Sequence, residues 1–325
     1  VKKGVITDYS WRKKRVILWI LIILFILMIP TFLTMIYVFR HVKYMKVDDE
    51  LHPLQNVYRA EDYKLSAITH TIKTDDGESL WCAEVEATNP KCVIIYLGPQ
   101  KEPSVTYFFA HAVEMKKLDY ACFLLEMRAH GESSGRKLGL GYTEVEDVRA
   151  LVNYITSVEK YKDLPIVLHG ISLGGTVAIN SVAEIPEVSG CIAMSPFASP
   201  DDQLDLLLKK YYIPGFLRAA QRPFTHQTFR WLYGKDRADH LTPVESIQKA
   251  GKKPILVISA LHDEEISIEN TYILQKVSSN AEFWIRDNTG HYVVEGNDLR
   301  NVGKDKEYLN YVEGFIKKII QSAKE

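Results

Sequence analysis

Short apolar runs alternate with longer segments of helical spacing over most of the chain. Residues 68–74 and 80–87 read as strands joined at Asp75-Asp76-Gly77, a hairpin turn signal. Further on, the runs at 92–97, 120–125, 166–168, 191–194, 255–259 and 283–285 predict strands. The patterns at 105–117, 143–158, 176–184, 269–277 and 306–320 predict helices. Strands interleaved with helices in this way imply parallel crossovers, so the expected fold class is α/β, a mostly parallel, doubly wound sheet made mixed by its leading hairpin. One interval, about 197–250, interrupts the alternation. There Leu204, Leu207, Tyr211, Tyr212, Phe216, Phe224, Phe229 and Trp231 are interleaved with Lys209, Lys210, Arg218, Arg222 and Arg230. Such an insertion suits a helical cap over an acyl pocket, a surface lying on a membrane, or ordinary packing on the domain, and the pattern leaves these open.

Ahead of the alternating region, residues 16–39 carry no charge. At about 1.5 Å per residue, roughly 24 residues reach about 36 Å, enough to cross a bilayer with some tilt. The expectation is a transmembrane helix, in which Pro30 is tolerated. A cleaved signal peptide would have a shorter apolar core and a small-residue cleavage site, and no such site follows. Lys2, Lys3, Arg12, Lys13, Lys14 and Arg15 precede the span, against Arg40, Lys43 and Lys46 after it, which places the N-terminus in the cytoplasm and the larger part outside. Trp11, Trp19 and Tyr37 stand where interfacial aromatic residues sit. The expected organisation is a basic tail (1–15), the span (16–39), a polar linker (40–65) and a single domain (66–325) carrying the insertion.

Charge and composition remove several function classes. The formal net charge is −1, so the chain offers no basic field for nucleic acid. The four cysteines are dispersed in or beside apolar runs and read as buried thiols rather than a disulfide framework or a zinc site. No metal or organic cofactor is called for.

The candidate chemistry begins at residues 165–175, PIVLHGISLGG. An apolar run leads into Gly170-Ile171-Ser172-Leu173-Gly174, and a helical pattern follows. Glycines flanking a serine at a sharp strand-to-helix turn let neighbouring chain pass close and leave the hydroxyl exposed above the sheet, at the positive end of a helix. On these residues the chain resembles the α/β-hydrolase superfamily, particularly its lysophospholipase-like, esterase and serine-aminopeptidase-like branches, over about residues 65–320. A second signature agrees: Arg128-Ala129-His130-Gly131-Glu132-Ser133-Ser134-Gly135 is similar to the R-G-H-G-x-S-x-G loop of the family, with Ala129 in place of a glycine. That loop is structural in the family, which makes His130 a packing residue.

The resemblance implies a triad in the order serine, acid, histidine. Of ten histidines, His291 stands in the Gly-His loop after the last predicted strand, and Asp263 matches the family's acid after the preceding strand, leaving Glu264 and Glu265 as solvated charges. Leu173 would give one oxyanion-hole amide. The second normally follows the segment closing the third strand, Tyr96-Leu97-Gly98-Pro99-Gln100, but proline has no N–H, so Gln100 must substitute. The implied function is a membrane-anchored serine hydrolase cleaving a small-molecule or lipid-like acyl ester. A peptidase or acyltransferase with the same triad, and an inactive tethered binding protein, remain the alternatives.

Overall fold

The computed structural model describes residues 3–39, 57–102, 104–287 and 289–324. Its centre is an eight-stranded sheet: β1 (Ile68–Lys73), β2 (Ser79–Val85), β3 (Cys92–Leu97), β4 (Tyr120–Leu125), β5 (Ile166–Ile171), β6 (Val188–Met194), β7 (Ile255–Ala260) and β8 (Glu282–Arg286). The strand order is β1-β2-β4-β3-β5-β6-β7-β8. The pairs β1/β2 and β2/β4 are antiparallel and the others parallel, the expected mixed sheet.

Helices cover both faces. On one lie α3 (Glu144–Ser157), α4 (Leu173–Glu184) and α9 (Glu269–Val277). On the other lie α2 (Phe109–Lys116) and α10 (Lys306–Ser322). Double coverage is why β3, β4, β5 and β7 are buried at every residue and read as continuous apolar runs, not alternating ones. The α10 stripe Tyr308, Leu309, Val312, Phe315, Ile316 and Ile319 is buried, a spacing that keeps one helix face on the sheet.

Two boundaries differ from expectation. Strand β5 runs on to Ile171, and α4 begins at Leu173 rather than near residue 176. The first turn of α4 is Leu-Gly-Gly, and glycine's poor helix propensity hides a turn that tertiary packing imposes. Of the expected linker, residues 40–56 fall outside the described residues, while 57–65 lie against the domain. Ala60 and Leu65 are buried on the α2/α10 face, and the Tyr58 amide donates to Thr106 Oγ1 at 2.9 Å.

Between β6 and β7 stand four helices, α5 (Pro200–Lys210), α6 (Gly215–Tyr233), α7 (Lys235–His240) and α8 (Pro243–Lys249). Ser199 and Thr242 cap α5 and α8, each with proline in the first turn. His226 bridges Asp201 at 2.8 Å and Asp239 at 2.9 Å, and Arg230 also reaches Asp239, which ties α5, α6 and α7 together. Tyr211, Tyr212, Phe216 and Trp231 are left exposed on this cap.

The N-terminal helix α1 (Lys3–Phe39) runs unbroken through Pro30 and is long and apolar enough to cross a membrane. Nearly all its described side chains face outward. Thr31 and Thr34 are exceptions, only 3% and 8% exposed, where α1 lies against α6; there the Thr228 hydroxyl meets Thr31 Oγ1 at 3.3 Å. All four cysteines are buried free thiols.

Candidate active site

Ser172 sits between β5 and α4 with φ 55° and ψ −117°, a conformation that non-glycine residues rarely adopt. Three close approaches hold it there. A Cβ on Gly170 would collide with the Gly174 carbonyl, one on Gly174 with the Leu97 carbonyl, and one on Gly175 would lie 2.9 Å from the Met194 oxygen. Glycine is required at each of these positions because backbone occupies the space of a side chain. The Ser172 amide donates to the Met194 carbonyl at 2.8 Å. Leu173 is the first residue of α4, so its amide has no intrahelical acceptor.

The step from Met194 to Ser195 brings the histidine to the same end of the sheet. Ser195, at φ 44°, donates its amide to Ile258 O and its hydroxyl to the His291 carbonyl at 2.9 Å. Beyond His291, Arg286 donates to Val293 O at 2.8 Å and pairs with Asp305, which also accepts the Glu295 amide; this buried pair clamps the loop. Ser172 and His291 are only 8% and 6% exposed.

His291 Nδ1 lies 2.8 Å from Asp263 Oδ2, and Asp263 Oδ1 accepts the Glu265 and Ile266 amides at 2.8 and 2.9 Å. Burial raises the Asp263 pKa, but the His291 hydrogen bond and charge and the two amides outweigh it and leave the carboxyl below its ordinary value. An ionised Asp263 holds the proton on Nδ1, leaving Nε2 as the basic nitrogen. Glu264 and Glu265 are exposed, and His262 faces solvent beside Asp287.

On the oxyanion side, Gly98 and Pro99 are buried at the exit of β3, and the Gly98 carbonyl also lies close to the space beside Gly174. Gln100 is half-buried, and its carbonyl binds His130 Nε2 at 3.2 Å while His130 Nδ1 meets the Arg128 carbonyl at 2.9 Å. His130 therefore pins loops and is not joined to the serine. Arg128 is itself fixed by Asp147 and Asp76. Glu126 accepts from the Ser104 hydroxyl and from the Glu132 amide at 2.6 Å. Burial, only partly offset by these bonds, raises its pKa to about 7.

Sequence reasoning passed over Ser195, Arg286, Glu102 and Tyr292. The Tyr292 hydroxyl donates to Glu102 at 2.6 Å and ties the oxyanion segment to the histidine loop. The only sequence signal was position, each lying at a strand exit or beside a candidate residue. Two cavities open on this part of the molecule, neither lined by Ser172. One of about 440 Å³ lies beside β8 and the Arg286–Asp305 pair, and one of about 410 Å³ is lined by Tyr58, Glu102, Tyr107, Tyr292 and Arg300.

Residues 101–240 match the family described as serine aminopeptidase, S33. The uncharacterised protein YqkD of Bacillus subtilis is 27% identical over 212 residues, 60% of this chain and 67% of that protein. Human monoglyceride lipase is 32% identical over 139 residues, 41% of this chain and 45% of the lipase. The chain therefore spans less than half the length of that lipase. Among solved structures, an esterase of Pyrococcus furiosus superposes with TM-score 0.61 at 20% identity, covering 81% of this chain and 95% of its own. An acylaminoacyl peptidase of Pyrococcus horikoshii gives TM-score 0.56 at 14% identity over 77% of this chain and 41% of its own. With a mixed eight-stranded sheet, a strained serine at a strand-to-helix turn and these likenesses, the chain has the α/β-hydrolase fold and is similar to serine hydrolases of that superfamily.

Proposed function

We propose that the chain is a membrane-tethered esterase in which Ser172 is the nucleophile, His291 its base and Asp263 the orienting acid. The observation that carries this reading is the His291–Asp263 pair, hydrogen-bonded at 2.8 Å and attached through Ser195 to the strand that also holds the Ser172 amide. His291 Nε2 takes the Ser172 proton as the hydroxyl oxygen attacks an ester carbonyl. The tetrahedral oxyanion forms against the Leu173 amide at the head of α4, where the helix dipole favours negative charge. His291 then returns the proton to the departing alcohol, and water releases the acyl group by the same path. A second oxyanion donor belongs to the segment after β3, where Gln100 is one source.

An acyl ester of a lipid is the favoured substrate class, supported by the similarity to monoglyceride lipase, the apolar N-terminal helix and the exposed aromatic residues of the cap. In this reading the basic flank faces the cytoplasm and the hydrolase domain the other side. Peptide-amide cleavage is the second reading, favoured by the match to the serine aminopeptidase family.

The full chain in detergent micelles is treated with a fluorophosphonate probe beside Ser172→Ala and His291→Ala, then offered monoacylglycerols, short-chain esters and aminoacyl amides. Labelling lost in both variants, with faster turnover of longer acyl esters, is the expected result. Folded wild-type chain that stays unlabelled would sink the reading, and turnover of amides over esters would replace it with the second.

A further inference from the structure

Pro99 has no N–H to donate at the exit of β3, and an unpartnered buried hydroxyl lies against the neighbouring Gly98. The Tyr107 side chain is buried, 4% exposed, and its hydroxyl has no hydrogen-bond partner among the described residues. A buried hydroxyl left unpaired is costly, so its persistence calls for an explanation. That hydroxyl lies 3.3 Å from where a Cβ on Gly98 would stand, at the exit of β3 one residue before Pro99. We infer that Tyr107 supplies the second oxyanion donor, its hydroxyl replacing the backbone N–H that Pro99 lacks; this rests on the esterase reading of Ser172.

Three further observations fit that role. The Gly98 carbonyl crowds Gly174, two residues after the serine, so the segment Tyr107 touches is the one packed on the nucleophile turn. The Tyr107 ring sits edge-on to Tyr292, with centroids 6.4 Å apart; Tyr292 follows His291 and is itself fixed by Glu102. Tyr107 is thus held between the β3 exit and the histidine loop. Burial, with Tyr292 and Glu102 nearby, pushes its pKa well above the ordinary tyrosine value, which keeps the phenol protonated and able to donate. The other unpaired buried tyrosine hydroxyls lie elsewhere. Tyr96 is packed among Phe108, His111 and His169, and Tyr142 against Phe229 and Tyr233 in the cap.

An oxyanion donor acts in the transition state and little in substrate binding, so its loss should appear in kcat. The test compares full-length wild type, Tyr107→Phe, Pro99→Ala and the double variant in detergent, measuring hydrolysis of a soluble ester, inhibition by a tetrahedral-forming boronic acid, and melting temperature. Tyr107→Phe is expected to lower kcat about 10²-fold with KM within a few-fold. The boronic-acid inhibition constant should rise in step, and the melting temperature should hold, since an unpaired hydroxyl has been removed. Pro99→Ala in the Tyr107→Phe background restores a backbone N–H and is expected to recover about tenfold or more. Wild-type kcat in Tyr107→Phe overturns the inference, as does a loss that comes with a lowered melting temperature and is not relieved by Pro99→Ala. Wild-type chain without Ser172-dependent turnover overturns the esterase reading and this inference together.

Discussion

At the scale of single residues, Glu126, just after β4, is a buried carboxyl outside the His291–Asp263 pair whose environment favours the proton. Its carboxyl sits at about 7 instead of 4.5 because burial disfavours the charge more than Ser104 and the Glu132 amide favour it. The folded chain therefore keeps a proton that the unfolded chain releases. The stability this contributes is complete below about pH 4.5 and lost as pH rises towards about 7. Melting temperatures of wild type and Glu126→Gln followed from pH 5 to 8 should show wild type falling by a few degrees more than the variant, and parallel curves would refute the raised value. Nothing in the linear sequence announced Glu126, because its environment comes from Ser104 and the loop at Glu132. Ser172, Asp263 and His291 stood out because each lies in a short motif with its own backbone demand. Tyr107 did not, since an unpaired hydroxyl is a property of packing and not of spacing.

At the scale of elements, the strand-to-helix turn is where local sequence and long-range structure meet. The G-x-S-x-G pattern could be read directly, yet the reason for Gly174 lies in β3, whose Leu97 carbonyl takes the room a methyl group would need. Gly174→Ala should destabilise the chain by about 1–3 kcal/mol through forced backbone movement and also reduce probe labelling of Ser172, because the turn and the oxyanion segment would be pushed apart. A variant that melts and labels like wild type would show that this contact yields freely. The start of α4 escaped prediction for the same reason the glycines are there: residues chosen for close approach carry poor helix propensity. Strands buried on both faces were legible as apolar runs, whereas their order in the sheet, with β4 between β2 and β3, was not, since pairing depends on crossovers that no local pattern encodes.

At the scale of the whole molecule, α1 and the cap meet. The Thr31 and Thr228 hydroxyls approach to 3.3 Å, and all four native cysteines are buried, so Thr31→Cys with Thr228→Cys should form a disulfide under mild oxidation of the full chain. Failure to cross-link would mean the two helices stand apart. The apolar helix was plain from composition, but its attachment to α6 was hidden, because two threonines inside a lipid-soluble run read as noise until their neighbours are known. This contact makes α1 more than a leash. If α1 were cut away, Thr228 would lose its Thr31 neighbour and α6 a packing partner. A chain without α1 would then differ from the full chain in its cap as well as in its length.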